Sequence, residues 1–159
     1  MTEIIEGATL SQAKAVVHRL FKFRIRSEHE IRAKLKEKGF PHEIIEQAVA
    51  FFTKCEMLND TIFAKAWIGS RLNKPMGLRR IKQELKEKGI ADEIIASELT
   101  AAKSDYDESE AVKEVIKRRL RMYQGLDPIK KKRRLEGYLL RRGFSTETIY
   151  KILKRPGGP

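Results

Sequence analysis

The sequence predicts an all-α protein of three tandem three-helix repeats forming an elongated, curved array. Three observations predict it. One helix ending is written three times, as LKEKGF to Phe40, LKEKGI to Ile90 and LLRRGF to Phe144. Apolar residues recur at helical spacing around each ending, with no sustained period-2 run and no Asn-Gly hairpin. Hydrophobic residues make up 41% and charged residues 35% of the chain, a balance that suits helices with narrow apolar stripes and broad solvated faces.

The repeats align on Gly39, Gly89 and Gly143, spaced by 50 and 54 residues. Four residues before each glycine stands Leu35, Leu85 or Leu139, and eight before stands Ile31, Ile81 or Leu135. Those offsets share one helix face, so each glycine is placed where a left-handed residue closes a short amphipathic helix. Six residues after each glycine stands Ile45, Ile95 or Ile149, and ten after stands Val49, Leu99 or Leu153, the stripe of the next helix.

Start signals mark the elements in order. An opening helix carries Val16, Val17, Leu20 and Phe21. Ser27 with Glu30 reads as a capping box before Ile31. Pro41 suits the start of the helix carrying Ile44, Ile45, Ala48, Val49 and Phe52. Asn59 or Asp60 caps a helix whose stripe is taken as Ile62, Phe63, Ala66 and Trp67, with Trp67 expected in the core and a base-stacking pair of Trp67 and Phe63 as the alternative. Pro75 and Gly77 break the chain before Leu78, Ile81 and Leu85. The polar stretch TAAKSDYDESE (100–110) is the expected linker or a weakly ordered start to the third repeat, its carboxylates serving a helix N-terminus. A helix with Val112, Val115, Ile116, Leu120 and Tyr123 follows. Asp127-Pro128 opens the next, through Leu135 and Leu139, and Ser145 caps the last. The repeats are placed at 9–57, 58–103 and 104–155, the last strongly basic, with 156–159 a disordered tail. One repeat alone is marginal, so neighbours are expected to pack on one another. The alternative is a single compact nine-helix globule.

Composition excludes several classes. There is no run of 18 apolar residues, so no membrane span is expected. The acidic opening MTEIIEGATL does not resemble a signal peptide. A lone cysteine, Cys55, forms no internal disulfide, consistent with a cytoplasmic protein, and is expected to be packed rather than reactive. His18, His29 and His42 lie far from any cysteine cluster and read as surface residues. There is no phosphate loop, nucleophile elbow or H-E-x-x-H. No enzyme, metal or cofactor is expected.

Charge is the informative feature. Residues 1–112 carry 19 basic and 18 acidic residues, whereas 113–155 carry 15 basic and 4 acidic. Such an excess in one third of the chain repels itself unless a polyanion or an acidic surface answers it. The candidate contacts are Lys117, Arg118 and Arg121; the run Lys130, Lys131, Lys132, Arg133 and Arg134; and Arg141 and Arg142. A smaller cluster, Arg71, Lys74, Arg79 and Arg80, flanks the break in the middle repeat.

The middle repeat, LNDTIFAKAWIGSRLNKPMGLRRIKQELKEKGI (58–90), together with RSEHEIRAKLKEKGF and LLRRGF, is similar to the RecX family of bacterial regulators of the RecA recombinase. The resemblance runs from about Leu10 to Leu153. DPIKKKRRLEGYLLRRGF departs into the family's more variable part, so its charge is expected to be particular to this chain. The resemblance implies a monomeric, cytoplasmic, non-enzymatic protein that binds the RecA protein filament in its helical groove. It implies inhibition of strand exchange, ATP hydrolysis and co-protease function, hence modulation of DNA repair and the SOS response. Charge alone points to weak, non-specific contact with single-stranded DNA. The alternatives are a general basic helical DNA- or RNA-binding protein without a recombinase partner, and an adaptor on an acidic protein.

Overall fold

The computed structural model describes residues 9–154, so the tail at 156–159 lies outside the described residues. Among the described residues it contains nine α-helices and no strand. The helices are α1 (Leu10–Phe21), α2 (Glu28–Glu37), α3 (His42–Lys54), α4 (Asp60–Leu72), α5 (Leu78–Glu87), α6 (Asp92–Lys103), α7 (Glu108–Leu120), α8 (Pro128–Arg141) and α9 (Thr146–Leu153). A 3₁₀ turn, Arg121–Tyr123, extends α7.

The punctuation signals act much as their chemistry dictates. Gly39, Gly89 and Gly143 have φ of 80°, 73° and 82°, the left-handed closure that the alignment predicts. Thr9 and Gln12 form a reciprocal capping box on α1. Asp127 caps α8, with Pro128 in its first turn, and Ser145 caps α9. Two signals differ. The Ser27 oxygen accepts from the Glu30 amide at 3.2 Å, but the Glu30 carboxylate leaves the cap for Arg24 and Lys88, so half the predicted box forms. Of the two candidates at α4, Asn59 is the cap, accepting from the amides of Thr61 and Ile62. Asp60 accepts instead from the Glu28 amide at 2.9 Å.

The chain divides into two compact units, and the division runs through the middle repeat. The first holds the residues through Ala66 together with Leu85–Ile95, and the second holds Trp67–Glu84 with Ala96 onward. In the first, Ala13 and Val17 of α1, Ile31 and Leu35 of α2, and Ile45, Ala48, Val49 and Phe52 of α3 close one core. Phe52 is its centre, met edge-on by His18, Phe21 and Phe51 at centroid distances of 5.0, 5.6 and 5.2 Å. The end of α5 is tied in through Lys88. Its carbonyl accepts from the buried Ser27 hydroxyl at 2.8 Å, and its ammonium reaches Glu30 at 2.7 Å. Arg24 reaches the same carboxylate at 2.8 Å. Burial alone would raise the Glu30 pKa, but these hydrogen bonds take it down to about 2.

In the second unit Val112, Val115, Ile116, Leu135, Leu139, Phe144, Ile149 and Leu153 form the core. The predicted linker is mostly helical: α6 runs to Lys103 and α7 starts at Glu108. Asp107 caps α7. Glu108 accepts from the Ser145 amide and hydroxyl and from the Thr148 hydroxyl, at 2.9, 2.6 and 2.7 Å, joining the starts of α7 and α9. The Tyr106 hydroxyl donates to the Met76 carbonyl at 2.8 Å. Other expectations are corrected. The buried stripe of α4 is Phe63, Ala64 and Ile68, while Ile62 and Ala66 are exposed and Trp67 is half-buried. Cys55 is exposed at the end of α3 rather than packed.

Candidate nucleic-acid interface

Every basic residue named as a candidate contact belongs to the second unit. The structure sorts them by what already holds them. Glu84 on α5 takes up two: Arg71 Nε at 2.6 Å and Arg80 Nε at 3.3 Å. It also accepts from Trp67 Nε1 at 3.0 Å, and the Arg71 guanidinium lies 4.3 Å from the Trp67 ring centre. Burial alone would raise the Glu84 pKa; the hydrogen bonds from Arg71, Trp67 and Arg80 outweigh it and hold the carboxyl low. Trp67 is therefore the apolar wall of a polar cluster. Its helical spacing from Phe63 hid this, because its partner lies on another helix.

A second cluster gathers on Tyr138 of α8. The Arg142 Nε donates to its hydroxyl at 3.0 Å, and the Arg119 guanidinium lies 3.8 Å from the ring centre. Burial would raise this phenol's pKa, but the hydrogen bonds to Arg119 and Arg142 hold it below its usual range. Arg119 was not among the candidates. Its position two residues from both Lys117 and Arg121 in a basic stretch gives no sign of its aromatic partner.

Three clefts collect most of the rest. One, of about 340 Å³, brings Lys74 of the middle-repeat cluster beside Arg118 and Arg142 of the third. Arg118 is paired there with Glu114 one turn earlier on α7. A shallower one of about 200 Å³ holds Arg79 with Lys82 and Lys103. The largest of the three, about 780 Å³, lies along α8. Lys130, Arg134, Gly137 and Arg141 follow one another at helical spacing on its floor side, joined by Arg133. Glu136, Leu140 and the half-buried Tyr123 complete it. Lys117, Arg121 and Lys132 are exposed and Lys131 half-buried, and none lines these three clefts.

The arrangement can neutralise and cradle anions. Four cations on one helix face, with one carboxylate among them, make a concave positive surface of the kind that phosphate backbones enter.

Fold and surface together define a class: an all-helical tandem-repeat protein with a basic, concave face. Residues 13–52, 59–99 and 105–153 match the descriptions "RecX, first three-helix domain", "RecX, second three-helix domain" and "RecX, third three-helix domain". Regulatory protein RecX of Clostridium acetobutylicum is 34% identical over 97% of this chain and 73% of its own length. Regulatory protein RecX of Mycolicibacterium smegmatis is 32% identical, with 89% and 78% covered. The crystal structure of RecX from Lactobacillus salivarius superposes with a TM-score of 0.76 at 21% identity, covering 91% of this chain and 94% of that one, a likeness of fold. The chain belongs to the RecX family. Among the described residues, no helix is long and apolar enough to cross a membrane.

Proposed function

We propose that this protein is a non-enzymatic, cytoplasmic regulator of the RecA recombinase. It binds the RecA–DNA filament as a monomer and inhibits strand exchange, ATP hydrolysis and co-protease function, and so tempers DNA repair and the SOS response. The observation that carries this reading is the match of all three repeats to RecX domains, along nearly the whole chain. Relatives bearing the name regulatory protein RecX support the regulatory part. The anionic contact is assigned to the third repeat and the adjoining turn of the middle one, through the fourteen candidates from Arg71 to Arg142. Support comes from the crowding of Lys130, Arg133, Arg134 and Arg141 on one cleft. Binding to free single-stranded DNA is weak and sequence-tolerant, because the basic excess is clustered and contacts to phosphate carry no sequence information.

Cosedimentation tests the reading. The full chain is spun with RecA filaments from its own species, and in parallel with the same bare single strand. Enrichment on the filament over bare DNA at equal nucleotide is the expected result. Equal recovery on both would favour a general nucleic-acid-binding protein.

A further inference from the structure

The cleft along α8 contains a residue that the fold does not explain. Gly137 sits inside a helix, where glycine weakens the helix relative to almost any other residue. A turn or a close backbone approach usually accounts for such a glycine, as it does for Gly77 and Gly143. Neither applies here: Gly137 lacks positive φ, and a Cβ on it would meet only the mobile end of Arg141, at 3.3 Å. What its missing side chain does provide is a bare floor in a cleft of about 780 Å³. A local rule broken without structural need points to a use.

The walls indicate the use. Tyr123 lines the cleft and is half-buried against the third-repeat core, so its ring is held in place. Lys130, Arg133, Arg134 and Arg141 surround it, and among the described residues none of these four is drawn into an ion pair, unlike Arg71, Arg80 and Arg118. Flat apolar ring, open floor and unspent cations are the three parts of a single-strand subsite, in which a base stacks while its flanking phosphates are neutralised.

We propose that this cleft is a nucleotide subsite for single-stranded nucleic acid. One base stacks on Tyr123 over Gly137, and the neighbouring phosphates lie on Lys130, Arg133, Arg134 and Arg141. The proposal rests on the filament reading above and adds to it a place and a mode of strand contact. An acidic peptide would satisfy the cations but leave the bare floor and the ring unused.

The test compares a labelled oligo-dT with an abasic strand of equal phosphate number, by anisotropy at several salt concentrations. The intact protein is expected to bind oligo-dT about fivefold or more tighter, the low end for one stacked base. Gly137→Leu and Tyr123→Leu should each erase that preference while leaving the salt dependence unchanged. Gly137→Leu should also keep or raise the thermal midpoint, since leucine favours the helix, so its loss of preference is not unfolding. Equal binding of the two strands by the intact protein, or a preference that survives both substitutions, overturns the subsite. Tighter binding of poly-glutamate than of oligo-dT also overturns it, in favour of an acidic peptide. If the subsite fails while the protein still enriches on RecA filaments, only this inference falls. If filament enrichment fails as well, the functional reading falls with it.

Discussion

Gly77 and Gly143 are in backbone contact. The Gly77 amide donates to the Arg142 carbonyl at 2.9 Å, and the Gly143 carbonyl accepts from the Arg79 amide at 3.2 Å. A Cβ on Gly77 would stand 2.1 Å from the Gly143 carbonyl carbon and oxygen. The glycine that breaks the middle repeat is therefore the seat on which the end of α8 rests. Because the obstacle is backbone, it cannot swing aside.

Gly77→Ala is expected to cost about 3 kcal/mol or more, in the class of severe overpacking changes. For a chain of this size that lowers the thermal midpoint by about 10 °C. Gly69→Ala is the control: it lies inside α4 with nothing within 4 Å of the added carbon. It should raise stability by up to about 1 kcal/mol. Calorimetry of the two variants checks both signs.

Acid should loosen the first unit through Glu30. Its folded pKa of about 2 lies below the ordinary carboxyl value of 4.5, so the stabilisation is whole above 4.5 and is lost as pH falls from there toward 2. Asp60, whose carboxyl is held up by burial despite the Glu28 amide, works in the opposite sense. The difference between the intact chain and Glu30→Gln isolates the effect. Denaturant titrations should show Glu30→Gln weaker by about 2 kcal/mol at neutral pH. The gap should close below pH 3.

Glu84 restrains cations that would otherwise face solvent. Removing its charge as Glu84→Gln frees Arg71 and Arg80 from their ion pairs and perturbs the hydrogen bond to Trp67. Trp67 is the sole tryptophan, so its emission reports the change directly. A shifted emission, with a loss of about 1–2 kcal/mol in stability, is expected. Single-strand binding at low salt should tighten at the same time. Unchanged binding would mean these arginines lie off the strand's path.

Salt dependence measures how many phosphates the basic face takes up. If about five are neutralised on a single strand, log K falls against log salt with a slope of about −3.5. Replacing Lys130, Lys131, Lys132, Arg133 and Arg134 together by Gln should flatten it markedly. The structure anticipates unequal shares. Lys130, Arg133 and Arg134 line the α8 cleft and Lys131 and Lys132 do not, so the first three should carry most of the change.

The helices and their ends were legible because they are local. The glycine-aligned stripes of Leu35, Leu85 and Leu139 are all buried, and the three glycines all close helices in the left-handed region. What the sequence concealed depends on partners far along the chain. Trp67 looked like core from its spacing with Phe63, but its indole N–H faces Glu84, 17 residues on. Glu30 looked like half of a capping box, yet Lys88, 58 residues away, outbids the cap. Gly77 read as a simple break, because a sequence carries no sign that another backbone approaches within contact. The basic candidates were visible as a group. Their division into restrained arginines and an unpaired cleft was not, since it turns on which carboxylates reach them.

The Gly77 contact also bears on how the basic repeat should be removed. A chain ending near Ser104 would lose the Arg142 carbonyl that receives the Gly77 amide and the Tyr106 hydroxyl that serves Met76. Hydrogen exchange in such a chain should show Trp67–Glu84 opened, while Ala13–Phe52 stays protected. Charge substitutions in the full chain are therefore the cleaner probe of function.

The central claim is tested most directly by RecA-mediated strand exchange, followed together with filament ATP hydrolysis, using RecA of the same species. The intact protein is expected to suppress both at amounts below one per RecA subunit. The chain with Lys130, Lys131, Lys132, Arg133 and Arg134 replaced by Gln should suppress them less, and poly-lysine of similar charge should not reproduce the effect. Undiminished strand exchange and ATP hydrolysis at micromolar intact protein would contradict the account.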